Sequence, residues 1–257
     1  MGYSTIDNMI YGIAYGGSGT SKVEELVRID AAGKTTYYPI QNSCGIGTAG
    51  TFSATNFVVG AINNGYLYIT DNNDVTYMYV IDINPSDANF GYLLNPATLQ
   101  PLSNCAGTAI DLNQANPTAN NNAAGFNDWV YNAANNTLMG ITYAEQIVAV
   151  YATGSNAGQI ASQTTLLAGS PMMQTYTVAS KATPEAAFGS LFYDANDDIF
   201  AFGNATGNLY EVNPTMGANT LVATFVPSSS NDGASLSHCG YCNADNRLAA
   251  NRAAAGK

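Results

Sequence analysis

The feature that most restricts the fold of this chain is a hairpin pattern that returns at long intervals. Tyr3-Ser4-Thr5-Ile6-Asp7-Asn8-Met9-Ile10-Tyr11-Gly12-Ile13 aligns with Tyr131-Asn132-Ala133-Ala134-Asn135-Asn136-Thr137-Leu138-Met139-Gly140-Ile141. With one residue deleted, Tyr193-Asp194-Ala195-Asn196-Asp197-Asp198-Ile199-Phe200-Ala201-Phe202 follows the same scheme, and Ile62-Asn63-Asn64-Gly65-Tyr66-Leu67-Tyr68-Ile69 is a shortened fourth copy. Each copy reads as a strand end, a polar turn and a strand of alternating hydrophobics, the signature of a β-hairpin. Self-similarity over such distances points to stacked or radial architectures.

Two further strands follow each hairpin. Glu25–Asp30, Tyr77–Asp82, Ile147–Tyr151 and Asn208–Asn213 are strand-like, and several end in Asp or Asn with Gly33, Pro85 or Pro214 soon after, which marks a turn. Thr35–Ile40, Gly91–Leu94, Thr164–Leu167 and Thr220–Phe225 supply the last strand of each unit. Four strands per unit, repeated along the chain, predict an all-β fold: a β-propeller of about four to five four-stranded blades. Meandering sheets in tandem must bury both faces, and radial stacking does so because each blade packs on two neighbours. A pair of β-sandwiches is the alternative, but it requires Greek-key connections rather than repeated meanders.

The joints between units are long: Gln41–Thr55, Asn95–Gly125 and Ala168–Ala187. Loops of that length are either functional or disordered. The last unit closes near Phe225, and Asn231-Asp232-Gly233-Ala234-Ser235-Leu236 resembles the opening strand of one more blade. That blade is expected to be completed by sequence ahead of Met1 or by a partner chain. The propeller domain is placed at residues 1–246. Residues 247–257, Ala-rich with Arg247, Arg252 and Lys257, read as a basic tail or linker.

Charge and cysteine content bear on where such a scaffold lives. Only 10% of residues are charged, against roughly 25% in an ordinary soluble domain. The net charge is −11, and the tail holds three of the 7 bases, so the body is acidic. Such a surface repels phosphate backbones and anionic head groups, which argues against nucleic acid and membrane surfaces as partners. The four cysteines, Cys44, Cys105, Cys239 and Cys242, fit disulfides in an oxidising compartment. Three pairings are possible. Cys44 with Cys105 and Cys239 with Cys242 is the expectation, because the second pair is already adjacent; four buried thiols are the alternative. No stretch approaches the roughly 20 apolar residues of a membrane span. No leader precedes the patterned sequence, so an exported precursor is expected to start further upstream. Asn135-Asn136-Thr137 and Asn204-Ala205-Thr206 are glycosylation acceptors if the source is a eukaryote.

Four stretches, in order, are similar to an uncharacterised family of secreted or cell-surface β-propeller domains. They are Gly2-Tyr3 with Asp7-Asn8-Met9-Ile10-Tyr11-Gly12, Asp128-Trp129-Val130-Tyr131-Asn132, Phe188-Gly189-Ser190-Leu191-Phe192-Tyr193-Asp194, and Ser229-Ser230-Asn231-Asp232-Gly233-Ala234. The resemblance spans nearly the whole chain to Cys239. It implies a secreted propeller set beside adhesive or stalk-like modules, carries no catalytic residues, and implies a further pair of strands ahead of Gly2-Tyr3.

The candidate chemistry is sparse. His238, the single histidine, lies beside Cys239-Gly240-Tyr241-Cys242. A zinc site there lacks a fourth ligand, and a redox pair lacks its βαβ setting, so a small disulfide loop is the expectation. A Ser/His/Asp arrangement would have to use that same histidine. Carboxylate pairs such as Glu24/Glu25 and Asp197/Asp198 fall in predicted turns, where a buried glycosidase pair is not expected. Asp194, Asn196 and Asp198 alternate oxygen ligands like a weak calcium loop, and Asp71-Asn72-Asn73-Asp74 is a looser one; neither has the Gly and distant Glu of an EF-hand. A hairpin turn of good turn formers explains both. Trp129 and the tyrosines suit sugar stacking, but their alternating positions predict packing between blades.

The sequence therefore predicts a non-enzymatic structural or adhesive module of an extracellular assembly (surface filament, appendage or matrix). No cofactor is expected, and the partners are copies of itself or neighbouring surface proteins. A carbohydrate- or peptide-binding propeller is the second reading, and a polysaccharide lyase or glycosidase the third.

Overall fold

A computed structural model of the chain describes residues 1–16, 23–41, 57–71, 77–102, 110–111, 128–141, 146–167, 175–178, 181–184, 188–194 and 198–228. All regular structure among them is β. Blade 1 consists of β1 (Gly2–Ser4), β2 (Met9–Gly16), β3 (Val23–Ile29) and β4 (Thr35–Pro39). Blade 2 has β5 (Phe57–Asn63), β6 (Tyr66–Asp71), β7 (Tyr77–Asp82) and β8 (Leu93–Leu94), with β9 (Ile110–Asp111) beside β8 on the outer edge of β7. Blade 3 is β10 (Trp129–Asn132), β11 (Thr137–Ile141), β12 (Gln146–Tyr151) and β13 (Ile160–Thr165). A separate hairpin, β14 (Thr175–Val178) with β15 (Lys181–Pro184), precedes blade 4: β16 (Phe188–Tyr193), β17 (Ile199–Gly203), β18 (Asn208–Val212) and β19 (Asn219–Thr224). Every blade is an antiparallel meander in sequence order, and the blades are arranged as a β-propeller.

The repeated turn has a physical basis. In the two full-length copies the tyrosine next to last in the first strand donates its hydroxyl to the asparagine five residues on: Tyr3 to Asn8 Oδ1 at 2.9 Å and Tyr131 to Asn136 Oδ1 at 2.8 Å. Both asparagines hold positive φ, 58° and 54°, a region Asn enters more readily than other non-glycine residues. The strand-ending acids and amides cap the next turn. Asp30 Oδ1 accepts from the Ala32 and Lys34 amides, Asp82 Oδ1 from Asn84, and Asn213 Oδ1 from Thr215 and Met216. These Asx contacts fix the angle at which each outer strand returns.

The core lies between blades. The seam of blades 1 and 2 buries Tyr11 and Leu26 against Leu67, Ile69, Tyr79 and Ile81. The seam of blades 2 and 3 buries Tyr68, Met78 and Val80 against Trp129, Leu138, Val148 and Val150. Val130, Met139, Ile147 and Ala149 point the opposite way and meet Phe188, Leu191, Ile199 and Tyr210 of blade 4. Neighbouring residues of one strand thus serve different seams, the period-2 geometry of a sheet. The first strands β1, β5, β10 and β16 follow one another around the axis, each in contact with the next. At the first of these contacts Gly2 is required, since a Cβ there would come within 2.7 Å of Ile62 Cγ1.

Three details differ from the sequence reading. The outer strand of blade 3 is Ile160–Thr165, not Thr164–Leu167. Its face is exposed, so Ala161-Ser162-Gln163 carries no apolar alternation to betray it. Glu24 and Glu25 lie within β3 rather than in a turn. The joint 168–187 contains the hairpin β14–β15, which has few large apolar residues to reveal it.

Candidate assembly surface

The outer strands are where the blades meet their surroundings. β4 is Thr-Thr-Tyr-Tyr-Pro, β13 Ile-Ala-Ser-Gln-Thr-Thr and β19 Asn-Thr-Leu-Val-Ala-Thr. None of the three contains a charged residue, and their side chains are mostly exposed. Among the described residues each pairs through one edge only, to β3, β12 and β18. No described strand lies along the other edge, the edge through which a sheet can accept a further strand. Blade 2 differs. Its β8 is buried, and Leu94 bridges to Pro101.

Apolar exposure concentrates on blade 4. Leu221 and Val222 of β19 are 44% and 50% exposed, and Phe225 and Val226 just beyond it 56% and 84%. On the sheet face turned away from blade 3, Phe192 and Phe200 stack at 5.4 Å with an interplanar angle of 11°, and Phe202 lies 6.3 Å from Phe225. Ser190, Phe192, Phe202, Leu209, Phe225 and Ser228 line an open cleft of about 390 Å³. The segment after β19 is held against its own blade: Phe225 donates its amide to the Gly207 carbonyl at 2.7 Å, and Ser228 to the Asn204 carbonyl at 3.1 Å. Gly207, at φ 73°, permits this, because a Cβ there would lie 2.1 Å from the Phe225 carbonyl oxygen.

The polar groups inside the molecule hold blades together. Asp128 is fully buried; its Oδ1 accepts from the Trp129 amide at 2.9 Å and its Oδ2 from the Leu191 amide of blade 4 at 2.7 Å. Trp129 donates Nε1–H to the Tyr68 carbonyl of blade 2 at 3.3 Å. One inner strand is therefore hooked to both neighbours. In blade 1, Asp7 Oδ2 accepts from Tyr11 Oη at 2.7 Å and pairs with Arg28 at 3.1 Å. Burial, then the hydrogen bond to Asp7, pushes the Tyr11 phenol well above its ordinary range. Burial also raises Tyr68 strongly, raises Tyr131, and raises the Asp82 carboxyl, which the Asn84 amide partly offsets.

The predicted site residues separate as follows. Asn135 is exposed on the β10–β11 turn. Asn204 is half-buried, with its Oδ1 enclosed. Asp194 and Asp198 face each other across the β16–β17 turn, where Asp194 Oδ1 accepts the Asp198 amide at 3.1 Å; Asn196 lies outside the described residues. Among the described residues no group of three or more His, Cys, Asp and Glu is placed to hold a metal ion. Cys44, Cys105, Cys239, Cys242 and His238 lie outside the described residues. Trp129 is 1% exposed and sits in the seam of blades 2 and 3, as its alternating position predicts. The bridging role of Asp128 was missed; its only sequence signal is its place directly ahead of a first strand. No described helix is long and apolar enough to cross a membrane.

A ring of four-stranded meanders, packed face on face around their first strands, defines a β-propeller repeat protein. The chain belongs to the family described as a repeat of unknown function (DUF6923), whose pattern matches residues 1–238. No curated protein matches it. Similar solved structures include virginiamycin B lyase from Staphylococcus aureus, at 12% identity and a TM-score of 0.38 over 88% of this chain and 59% of that one. U3-55K is similar at 10% identity and a TM-score of 0.41, over 88% of this chain and 52% of that one. The computationally designed Ika8 protein is similar at 11% identity and a TM-score of 0.36, over 86% and 51%. The chain spans about three fifths of the lyase's length. At this distance no activity or partner passes from those proteins to this one.

Proposed function

We propose that this chain is a non-enzymatic structural or adhesive module of an extracellular assembly such as a surface filament, appendage or matrix. In it, further copies or neighbouring surface proteins add to the outer edges of the blades. The observation that carries this reading is the absence of charge from β4, β13 and β19, three exposed edge strands. Soluble proteins guard such edges with lysines, bulges, prolines or coverings; β13 and β19 each carry a register shift, at Ala161 and Val222, and β4 ends in Pro39, but none of the three carries the charge that would repel an incoming strand. Thr, Ser, Asn and Gln keep these edges wettable without the repulsion that charges impose. The low overall charge and the exposed acceptor at Asn135 favour an extracellular setting.

The test is association as a function of concentration, followed by sedimentation and electron microscopy, for the natural chain and for Val222→Lys. The natural chain is expected to form ordered oligomers or filaments, and the lysine to raise the concentration required by about tenfold or more. A natural chain that stays monomeric throughout sinks the proposal. Extracellular placement is tested separately by fractionating the source cells.

A further inference from the structure

We propose that two copies of this chain pair through β4, strand against antiparallel strand about Tyr37, so that their first blades form one continuous sheet. The proposal rests on assembly through blade edges and names the edge that two copies share. The outer strands differ in what they offer. β13 and β19 each hold an extra residue in mid-strand, Ala161 and Val222, where the register with β12 and β18 shifts. A bulge twists an edge and interrupts the ladder that an incoming strand would extend. In blade 2, β9 lies beside β8 on the outer side, and Leu94 bridges to Pro101. Of β4, β13 and β19 only β4 pairs without a shift, from Thr35 on Ile29 to Pro39 on Glu25. Beyond Pro39 the described chain turns to blade 2, where the Gln41 amide donates to the Gly91 carbonyl at 2.8 Å.

The edge of β4 is complementary to itself. The Asp30 amide donates to the Lys34 carbonyl at 3.1 Å, and from that pair the alternation of an antiparallel ladder makes Thr36 and Tyr38 the residues bonded to β3. Thr35, Tyr37 and Pro39 then direct their backbone groups outward. Pro39 fits there because β3 needs no N–H from that position. When two antiparallel copies are centred on Tyr37, the amide and carbonyl of each Tyr37 bond those of the other. Each Thr35 amide meets the Pro39 carbonyl of the second copy. The two Tyr37 rings, 52% exposed in the single chain, then stand opposite each other on one face as a cross-strand aromatic pair.

Charge selects the same blade and a second copy as its occupant. Residues 1–41 hold Asp7, Glu24, Glu25 and Asp30 against Lys22, Arg28 and Lys34, a net charge of −1. Residues 42–246 hold 14 acids against Lys181 alone. Two chains that each carry −11 thus repel one another least where their first blades meet.

Sedimentation of the full chain over a range of concentrations tests the contact. The natural chain is expected to dimerise, and Val222→Lys to keep the dimer while its larger assemblies need more protein. Tyr37→Lys and Tyr37→Asp each set like charges face to face across the axis and are expected to weaken the dimer at least about tenfold. An equimolar mixture of the two is expected to recover it, which requires residue 37 to face residue 37 and both variants to be folded. In the natural chain, hydrogen exchange at the Thr35 and Tyr37 amides should slow as the dimer forms, while Thr36 and Tyr38 are protected at every concentration. Assembly of both Tyr37 variants at the natural concentrations overturns the β4 contact and leaves edge assembly standing. So does a mixture that fails to recover the dimer, or unchanged exchange at Thr35 and Tyr37 in the associated natural chain, which needs no substitution. A natural chain that stays monomeric overturns both.

Discussion

Blades 3 and 4 are built from the same four-stranded meander, yet they bury different fractions of it. In blade 3 both faces are inside: Trp129, Leu138 and Val148 meet blade 2 while Val130, Met139 and Ile147 meet blade 4. In blade 4 one face is inside, and the other presents phenylalanines to an open cleft. Alternation along a strand assigns residues to two sides, but burial depends on what stands beyond each side. A side chain's worth to stability in this fold is therefore set by the blade's position in the ring.

The sharpest way to break the comparison is to truncate one aromatic in each blade. Trp129→Ala is expected to cost about 3–5 kcal/mol, since a fully buried ring leaves a cavity between two blades. Phe202→Ala, on the half-buried face, is expected to cost about half as much or less. Denaturant melts of the two variants decide this, and equal losses would mean that both faces of blade 4 are as buried as those of blade 3.

Asp128→Ala tests the bridge between the blades. It leaves the Trp129 and Leu191 amides without their acceptor, at roughly 1–3 kcal/mol for each buried donor left unsatisfied. Exchange should quicken in β10 and β16 together rather than in one blade alone. Gly207→Ala is smaller in reach. The left-handed backbone costs an alanine about 1–2 kcal/mol, and the Phe225 carbonyl must move away. Protection of the Phe225 and Ser228 amides should be lost while blade 2 is unchanged.

The smallest effect is electrostatic and appears only in alkali. An unfolded phenol ionises near pH 10, whereas Tyr68 and Tyr11 keep their protons to higher pH because of burial, with the Asp7 hydrogen bond adding to it at Tyr11. The folded state then binds more protons than the unfolded one. The stability these groups contribute is complete below pH of about 10 and declines as the pH rises beyond it. Tyr68→Phe should flatten that decline, and ultraviolet titration of the phenolates should show tyrosines that ionise only on unfolding.

Some of this was legible in the chain. Tyr3 to Ile13 and Tyr131 to Ile141 are hairpins because the turn residues and the alternation agree, and agreement of local signals is what sequence reading detects. The caps at Asp30, Asp82 and Asn213 were visible for the same reason. β13 and the β14–β15 hairpin were displaced or missed because strands with exposed or small side chains leave no hydrophobic period. The proposed assembly surface is harder still to read, since it consists of what β4, β13 and β19 lack.

The meander order within each blade, the first hairpin turns and the two-sided pattern of each sheet follow from the sequence, because they depend on residues within a few places of one another. Which side of a strand is core, which carboxylate bridges two blades and which face stays open were decided by the packing of segments some sixty residues apart, such as Trp129 on Tyr68 and Asp128 on Leu191. Contacts of that range answer to shape and to the supply of neighbours around the axis, and no local pattern encodes either.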